Sequence, residues 1–213
     1  MTSLPLLYAI ADAAFGNPII LARELFDGGA RLVQIRNKNS SARELFDQVV
    51  AIVKFAPLDS RVIVNDRADI ALLSGAGGVH LGQTDLPPQQ IRRVLSSNQI
   101  LGYSTHNLRQ AISSELLPVD YIAAGPVFPT STKTNADPVI GLDGLREICS
   151  RASRPVVAIG GITMENARDV FACGAASVAV ISDLLKSQDV ARRTEEWLRY
   201  NFEVCGRPST FTS

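Results

Sequence analysis

The 213-residue sequence predicts an α/β protein, a single-domain (β/α)8 TIM barrel. Eight short apolar or β-branched runs alternate with eight amphipathic stretches, which is typical of a sheet whose strands are all parallel. A doubly wound open sheet fits the same alternation, but a count of eight favours the closed barrel. No linker or low-complexity segment divides the chain. We therefore predict a catalytic barrel domain over residues 1–203 and a flexible C-terminal tail over residues 204–213.

Each predicted strand is a short run of apolar or β-branched residues, as expected for strands that are covered on both faces. In chain order, the predicted strands are Leu6–Ile10, Leu32–Ile35, Arg61–Val64, Gly78–Leu81, Ile100–Tyr103, Tyr121–Ala124, Val156–Ile159 and Ser177–Ile181.

Between the strands, apolar residues recur at the spacing of an amphipathic helix. The predicted helices are Pro18–Asp27, Ala42–Phe55, Ala68–Leu73, Pro88–Leu95, Leu108–Leu117, Leu142–Arg151, Met164–Cys173 and Asp183–Tyr200.

The overall charge is balanced, with 21 basic and 21 acidic residues. This balance favours neither nucleic acid nor a membrane surface as a partner, so any anion must be bound by a local cluster. The three cysteines are odd in number and lack metal-ligand spacing, which indicates reduced thiols. The N-terminus has no basic start typical of a signal peptide, and no apolar run is long enough to span a bilayer. We expect a cytoplasmic protein.

The second predicted strand runs into a polar segment, Gln34-Ile-Arg-Asn-Lys38. Side chains alternate along a strand, so Gln34, Arg36 and Lys38 share one face while Val33 and Ile35 take the other. We predict that the polar set points into the barrel near its C-terminal mouth, where barrel enzymes place their active sites. The alternative is that Arg36 and Lys38 belong to a solvated loop.

Other predicted strands also end in polar residues, each of which has a structural alternative. Asp66, Asn107 and Thr163 fit N-caps of the helices that follow, and Asp85 fits a turn ahead of two prolines.

The two histidines, His80 and His106, also follow or lie in predicted strands. His80 lies within its strand and is better explained as a hydrogen-bonded core residue than as a ligand. Ser104 and His106 share a face of the next strand, and for His106 a site role and a capping role stay open.

Two clusters of residues are not fully explained by capping or turn roles. Asp66 and Asp85 end neighbouring strands and face Arg36 and Lys38. Two carboxylates suit one Mg²⁺ ion, which takes the rest of its ligands from water and substrate phosphate, and the basic pair would neutralise the remaining charge.

The second cluster combines Gly160-Gly161 with Ile181-Ser182, after the last two strands. These loops form the usual phosphate site of this fold, where glycine lets the backbone approach the anion. The long segment Gly125–Asp137, with Thr130, Ser131, Thr132 and Lys133, fits either a lid or a solvated loop. Two anion sites and a metal suggest two phosphorylated small-molecule substrates.

The sequence resembles the thiamine phosphate synthase family from about Leu6 to Leu185. Six segments in order carry the resemblance: Gln34-Ile-Arg-Asn-Lys38, Asn65-Asp-Arg-Ala-Asp69, Gly78-Val-His-Leu-Gly-Gln-Thr-Asp85, Gly102-Tyr-Ser-Thr-His106, Gly125-Pro-Val-Phe-Pro-Thr-Ser-Thr-Lys133 and Ala158-Ile-Gly-Gly-Ile162.

The resemblance implies the substrates and the role of each site residue. An aminopyrimidine diphosphate would contact Gln34, Arg36, Lys38, Asn65, Ser104 and Lys133, of which Lys38, Ser104 and Lys133 are catalytic. Mg²⁺ would be held by Asp66 and Asp85. A thiazole phosphate would lie against Thr130, Ser131, Thr132, Gly161, Ile181 and Ser182. The implied reaction expels diphosphate to leave a pyrimidine cation, which the thiazole nitrogen attacks.

Three alternatives stay open at this point. A thiazole tautomerase of the same superfamily shares the barrel and the thiazole phosphate pocket, but it needs no diphosphate grip. A phosphosugar isomerase would need an acid–base pair at the mouth. A non-catalytic ligand-binding barrel has the same fold. The sequence does not fix the oligomeric state, and a homo-oligomer is compatible with it.

Overall fold

Eight parallel strands close into a barrel in the computed structural model, which describes residues 4–130 and 137–205, the last five by their backbone alone. Each strand pairs in parallel with the next, and β8 returns to pair with β1. The strands are β1 Leu7–Asp12, β2 Leu32–Arg36, β3 Arg61–Asn65, β4 Gly78–Leu81, β5 Ile100–Thr105, β6 Tyr121–Ala124, β7 Val156–Ile159 and β8 Ser177–Val180. The predicted (β/α)8 barrel is confirmed.

At least one helix follows each strand, and two helices follow β8. The helices are α1 Pro18–Asp27, α2 Ala42–Phe55, α3 Ala68–Ser74, α4 Pro88–Val94, α5 Leu108–Ser114, α6 Gly141–Arg151, α7 Ala167–Ala172, α8 Ser182–Leu185 and α9 Val190–Cys205. Within the described ranges, no helix has the length and apolar character needed to cross a membrane. Helix α9 includes residues 204 and 205, and residues 206–213 lie outside those ranges, so the flexible tail over residues 204–213 stays a prediction.

The prediction of one helix from Asp183 to Tyr200 was wrong, because a new helix begins at Val190. The side chain of Asp189 accepts a hydrogen bond from the backbone nitrogen of Arg192 at 2.9 Å, and the backbone nitrogen of Asp189 donates to Ser187 Oγ at 3.2 Å. Such side-chain bonds satisfy the free N–H groups at a helix start. They therefore stabilise a break that the apolar periodicity does not show.

The core has two layers separated by the barrel wall. Val33 and Ile35 of β2 belong to the outer layer, where the strands meet the helices. Leu32 of the same strand belongs to the inner layer, which fills the barrel together with Tyr8 and Tyr121. Gln34 is two residues from Leu32 and is buried on the same inner side. The predicted alternation along β2 is confirmed.

Helix α8 is anchored to α9 through the carboxylate of Asp183. Its Oδ2 accepts from Trp197 Nε1 at 2.6 Å and from Arg193 at 2.9 Å. Trp197 is fully buried, so this contact joins α8 to the outer core layer. Because Ser182 directly precedes Asp183, the same anchor fixes the residue that begins α8 at the barrel mouth.

Candidate functional site

A cavity of about 400 Å³ opens at the C-terminal mouth of the barrel. Ile10, Ile159 and Ala179 give it an apolar part, and polar residues from the strand ends line the rest. All predicted site residues that the structure describes line this cavity: Gln34, Arg36, Lys38, Asn65, Asp66, Asp85, Ser104, Thr130, Gly161, Ile181 and Ser182. Ser131, Thr132 and Lys133 lie outside the described residues. The structure therefore brings the two predicted clusters into one cavity.

Arg36 is held by a carboxylate that the sequence analysis did not identify as part of the site. Its Nη1 donates to Asp12 Oδ2 at 2.5 Å, and Asp12 Oδ1 also accepts from the backbone nitrogen of Ala14 at 3.0 Å. Asp12 is 2% exposed, so the ion pair is shielded on the aspartate side. The available signal was a lone carboxylate at the end of the apolar run from Leu7 to Ala11. A buried partner of this kind fixes the direction of the guanidinium.

Lys38 follows β2 by two residues and lies in a turn at the mouth. Its side chain is half-exposed, and its Nζ lies 3.3 Å from Asp66 Oδ2. Lys38 therefore lies in a loop, which was the alternative to a place on the strand. It nevertheless lines the cavity. It therefore brings a second cation beside the acidic residues that follow β3 and β4.

Asp66 and Asp85 form the acidic side of the cavity. Asp66 has a φ of 63°, a left-handed conformation that is uncommon for residues other than glycine, asparagine and aspartate. Its backbone nitrogen donates to the carbonyl oxygen of His80 at 2.8 Å. Asp85 closes a turn by accepting from the backbone nitrogen of Gly82 at 2.6 Å. The predicted turn role of Asp85 is therefore confirmed, alongside its place in the cavity.

The two carboxylates are close enough to affect each other. Burial is the main cause that raises the pKa of Asp85, and the backbone N–H of Gly82 opposes it. The negative charge of Asp66 and a hydrogen-bonding contact with it raise this pKa further, while Lys38 lowers it. Two like charges held together in a partly buried site repel each other, and a cation between them would relieve that repulsion.

This donor set fits Mg²⁺. Carboxylate oxygens are the protein ligands that Mg²⁺ prefers, and the ion usually keeps several waters and adds substrate phosphate. Among residues 4–130 and 137–205, no group of three or more His, Cys, Asp or Glu is arranged to hold a metal. In this assignment, water and substrate oxygens would supply the remaining ligands. The assignment of Mg²⁺ stays a prediction.

The glycine-rich loop after β7 forms the opposite side of the cavity. Gly160 and Gly161 have φ values of 101° and 64°. A Cβ on Gly161 would lie 2.6 Å from the carbonyl oxygen of Pro129, so glycine is required here for packing as well as for any approach of phosphate. Asn166 holds the loop, because its Nδ2 donates to the Gly161 carbonyl at 3.0 Å and its Oδ1 accepts from the Thr163 nitrogen at 2.9 Å.

The structure separates the residues that only cap helices from those at the cavity. Asn107 caps α5 by accepting from the backbone nitrogen of Gln110 at 2.9 Å, as predicted. Asp66 and Thr163 do not cap, since the N-cap positions of α3 and α7 are Arg67 and Asn166. His106 lines the cavity, and its Nδ1 lies 2.9 Å from the Gly125 carbonyl oxygen and 3.4 Å from Asp137 Oδ2.

His80 is the hydrogen-bonded core histidine that the sequence predicts. Its Nδ1 lies 3.0 Å from the hydroxyl of Tyr121, and its Nε2 lies 2.9 Å from Ser104 Oγ. Burial lowers the pKa of His80 to about 4, although the charge of Asp66 opposes this shift. The sequence analysis did not identify Tyr121 or its hydroxyl partner Tyr8, which lie in the apolar runs of β6 and β1.

The fold and the site define a (β/α)8 barrel protein with a charged cavity at its C-terminal mouth, acidic and basic on one side and glycine-rich on the other. The family model described as thiamine monophosphate synthase matches residues 7–184. The chain belongs to this family.

Curated relatives and a solved structure agree with this assignment. A thiamine-phosphate synthase of Koribacter versatilis (strain Ellin345) is 46% identical over 203 residues, which cover 92% of this chain and 95% of the relative. One from Pyrococcus horikoshii is 40% identical, with 94% and 96% covered. The solved thiamine phosphate pyrophosphorylase of Pyrococcus furiosus superimposes with a TM-score of 0.84 at 38% identity, covering 94% of this chain and 96% of that one.

Proposed function

We propose that the protein is a thiamine-phosphate synthase, a transferase that acts on two phosphorylated substrates. It joins 4-amino-2-methyl-5-(diphosphooxymethyl)pyrimidine to the thiazole phosphate 4-methyl-5-(2-phosphooxyethyl)thiazole, and it releases diphosphate. The observation that carries this proposal is that one cavity holds an acidic and basic cluster opposite a glycine-rich loop. The family membership and the names of the relatives support it. The cytoplasmic location stays a prediction.

In this proposal, the basic residues grip the diphosphate. Arg36 pairs with Asp12, Lys38 pairs with Asp66, and both cations line the cavity. There they would neutralise the negative charge that the leaving group gains. Lys133 would add a third cation, as the resemblance implies. Mg²⁺ held by Asp66 and Asp85 would supply a further positive charge against the diphosphate oxygens. Fixed charges of this kind lower the barrier without needing to reorganise during the reaction.

The bond changes need no nucleophile from the protein. The bond between the pyrimidine methylene carbon and the diphosphate oxygen breaks, and the electron pair leaves with the diphosphate. The ring amine stabilises the resulting cation, and the thiazole nitrogen donates its lone pair to form the new carbon–nitrogen bond. The protein therefore has to neutralise charge and hold two rings in contact, which is catalysis by electrostatics and proximity.

Incubation of the purified protein with both substrates and Mg²⁺ tests the proposal directly. We expect thiamine phosphate and diphosphate in equal amounts, and we expect EDTA to abolish the reaction while added Mg²⁺ restores it. A protein that isomerises a thiazole phosphate but releases no diphosphate would instead be a tautomerase. A protein that binds both substrates without turnover would be a non-catalytic barrel.

Ser182→Ala tests whether the thiazole phosphate lies at the strand-seven and strand-eight side. Loss of one hydroxyl donor to a charged group is expected to cost about 1–2 kcal/mol, or roughly 5- to 30-fold in the KM for the thiazole phosphate. The KM for the pyrimidine diphosphate should change little. Ser150→Ala is the matched control, because its exposed hydroxyl bonds to the carbonyl of Glu147 in α6 and does not line the cavity. A raised KM for the pyrimidine diphosphate would mean that the two phosphate sites are assigned in reverse.

A further inference from the structure

Five polar side chains form a continuous hydrogen-bonded chain across the inside of the barrel. Gln34 Nε2 lies 2.8 Å from the Tyr8 hydroxyl, which lies 2.9 Å from the Tyr121 hydroxyl. The Tyr121 hydroxyl lies 3.0 Å from His80 Nδ1, and His80 Nε2 lies 2.9 Å from Ser104 Oγ. Both ends, Gln34 and Ser104, line the cavity, whereas Tyr8 and Tyr121 do not.

The interior around this chain leaves little freedom for its members. Tyr8 and Tyr121 are 1% and 0% exposed, and the imidazole of His80 stacks on the Tyr121 ring at 5.6 Å between centroids. A Cβ on Gly102 would lie 2.2 Å from the Tyr121 hydroxyl oxygen and 2.5 Å from His80 Nδ1, so this strand position must be glycine. Groups this deeply buried have to satisfy one another, because an unpaired polar group is costly in a dry interior.

Satisfying every buried hydrogen sets a direction for the chain. Gln34 Nε2 donates to the Tyr8 hydroxyl, whose own hydrogen has no acceptor in the chain other than the Tyr121 hydroxyl. The arrangement that leaves no hydrogen of the chain unpaired therefore has Tyr8 donating to Tyr121 and Tyr121 donating to His80 Nδ1. A neutral imidazole that accepts at Nδ1 carries its hydrogen on Nε2 and donates it to Ser104.

The direction fixes what each end offers a ligand. Ser104 already accepts from His80, so its hydroxyl hydrogen is left for the cavity. Gln34 has its amide nitrogen turned to Tyr8, so its carbonyl oxygen is left as an acceptor. Gln34 is 4% exposed, and within the described parts of the chain no donor is placed against this oxygen.

We propose that this chain makes Tyr8, Tyr121 and His80 positioning residues that select the ring of the pyrimidine substrate. The inference rests on the proposed function and deepens it. A ring that carries an exocyclic amine beside a ring nitrogen offers a donor to Gln34 and an acceptor to Ser104. Its 4-oxo counterpart offers the reverse pattern, because the amine is replaced by a carbonyl oxygen and the ring nitrogen gains a hydrogen. A site whose hydrogen bonds are fixed in direction discriminates strongly against such a reversal.

Tyr121→Phe cuts the chain at its centre and keeps the aromatic ring. The Tyr8 hydroxyl can then donate to a turned Gln34 amide, and the tautomer of His80 is no longer set, so both ends can present either polarity. The probes are the monophosphate of the aminopyrimidine and its 4-oxo counterpart, used as inhibitors competing with the pyrimidine diphosphate. We expect the wild type to prefer the amino form by at least about 10²-fold, and Tyr121→Phe to reduce this preference about tenfold or more.

Thr105→Val is the matched control. It removes a fully buried hydroxyl on β5, the strand of Ser104. This hydroxyl bonds to the carbonyl of Ala123 outside the hydrogen-bonded chain, so the preference should be unchanged. An unchanged preference in Tyr121→Phe, or a loss equal to that of Thr105→Val, would overturn the proposal. A wild type that does not turn over the pyrimidine diphosphate would contradict the proposed function instead. A wild type that binds both equally would contradict only the role of the chain.

Nitrogen-15 NMR of the histidine side chains tests the direction without any substrate. The sequence has two histidines, so the spectrum is simple, and His80→Asn assigns the signals. We expect His80 to be neutral with its hydrogen on Nε2 in the wild type, and to lose this fixed tautomer in Tyr121→Phe but not in Thr105→Val. A hydrogen on Nδ1 in the wild type would reverse the chain and overturn the proposal, whatever the activity.

Discussion

Asp66→Asn and Asp85→Asn are each expected to lower kcat/KM by more than ~10²-fold at a Mg²⁺ concentration that saturates the wild type, because each would remove a charged ligand of the Mg²⁺ ion that we propose. Asparagine keeps the size of the side chain, and at position 66 it also tolerates the left-handed backbone that the structure requires. The loss should therefore come from the missing charge and not from a distorted loop.

The same substitutions provide a readout that is independent of activity. Without metal, Asp66 and Asp85 repel each other, and this repulsion contributes to the raised pKa of Asp85. Removal of one charge relieves it, so in EDTA each variant should unfold at the same temperature as the wild type or slightly higher. Added Mg²⁺ should raise the melting temperature of the wild type more than that of either variant, since a ligand stabilises only the state that binds it.

Asp69→Asn is the control for both measurements. Asp69 belongs to the same sequence segment, but it pairs with Arg67 at 2.8 Å and does not line the cavity. Wild-type rates and a wild-type Mg²⁺ response are expected for it. If Asp66→Asn and Asp85→Asn keep wild-type rates at low Mg²⁺, the metal is bound elsewhere or is not required.

The barrel could be predicted from the sequence because its main signals are local. Each strand is a short apolar run, and the helices α1 and α2 begin and end at the residues that the periodicity indicates. The inward direction of Gln34 follows from the period of two along a strand, which needs no knowledge of the partner strands. The alternation of strands and helices predicts parallel strands, and the C-terminal ends of parallel strands meet at one mouth of the barrel.

Features that depend on distant partners could not be predicted in this way. The Tyr8 and Tyr121 hydroxyls are partners across 113 positions of the chain, and in the sequence each tyrosine is one more apolar residue of its strand. Asp12 became part of the site only when β1 and β2 paired and placed it against Arg36. A pattern along one segment contains no information about such pairs.

For some residues, the sequence fitted both a capping role and a place in the cavity. Aspartate and threonine are both common N-caps, yet in the structure Asp66 and Thr163 precede the true caps. The positive φ of Asp66 is set by its bond to the carbonyl of His80 on the neighbouring strand, so the backbone turns before the helix can begin. That turn aims the carboxylate at the cavity, which a cap would not.

The position of Lys38 allows two explanations for the catalytic role that we propose for it. Its Nζ lies 3.3 Å from Asp66, and its charge lowers the pKa of Asp85, so it could act by balancing the acidic pair. It also lines the cavity from a turn and is half-exposed, so it could swing onto the diphosphate. The two roles differ in how they respond to Mg²⁺. If Lys38 only supports the metal site, a higher Mg²⁺ concentration should restore the kcat of a variant that lacks it. If Lys38 neutralises the leaving group, added Mg²⁺ should not restore kcat.

Lys38→Ala is expected to lower kcat by roughly 10²-fold or more, by analogy with the loss of one electrostatic donor in an active site. If the lysine acts on the diphosphate, saturating Mg²⁺ leaves kcat low, and Lys38→Arg restores part of it because a cation is again present. Lys133→Ala should show the same Mg²⁺-insensitive loss, as the family resemblance implies.

Lys54→Ala is the control, since Lys54 is exposed in the last turn of α2 and does not line the cavity. Melting curves should match the wild type for all four variants. Full recovery of Lys38→Ala at high Mg²⁺ would instead make Lys38 a support for the metal site, and an unfolded variant would make it structural.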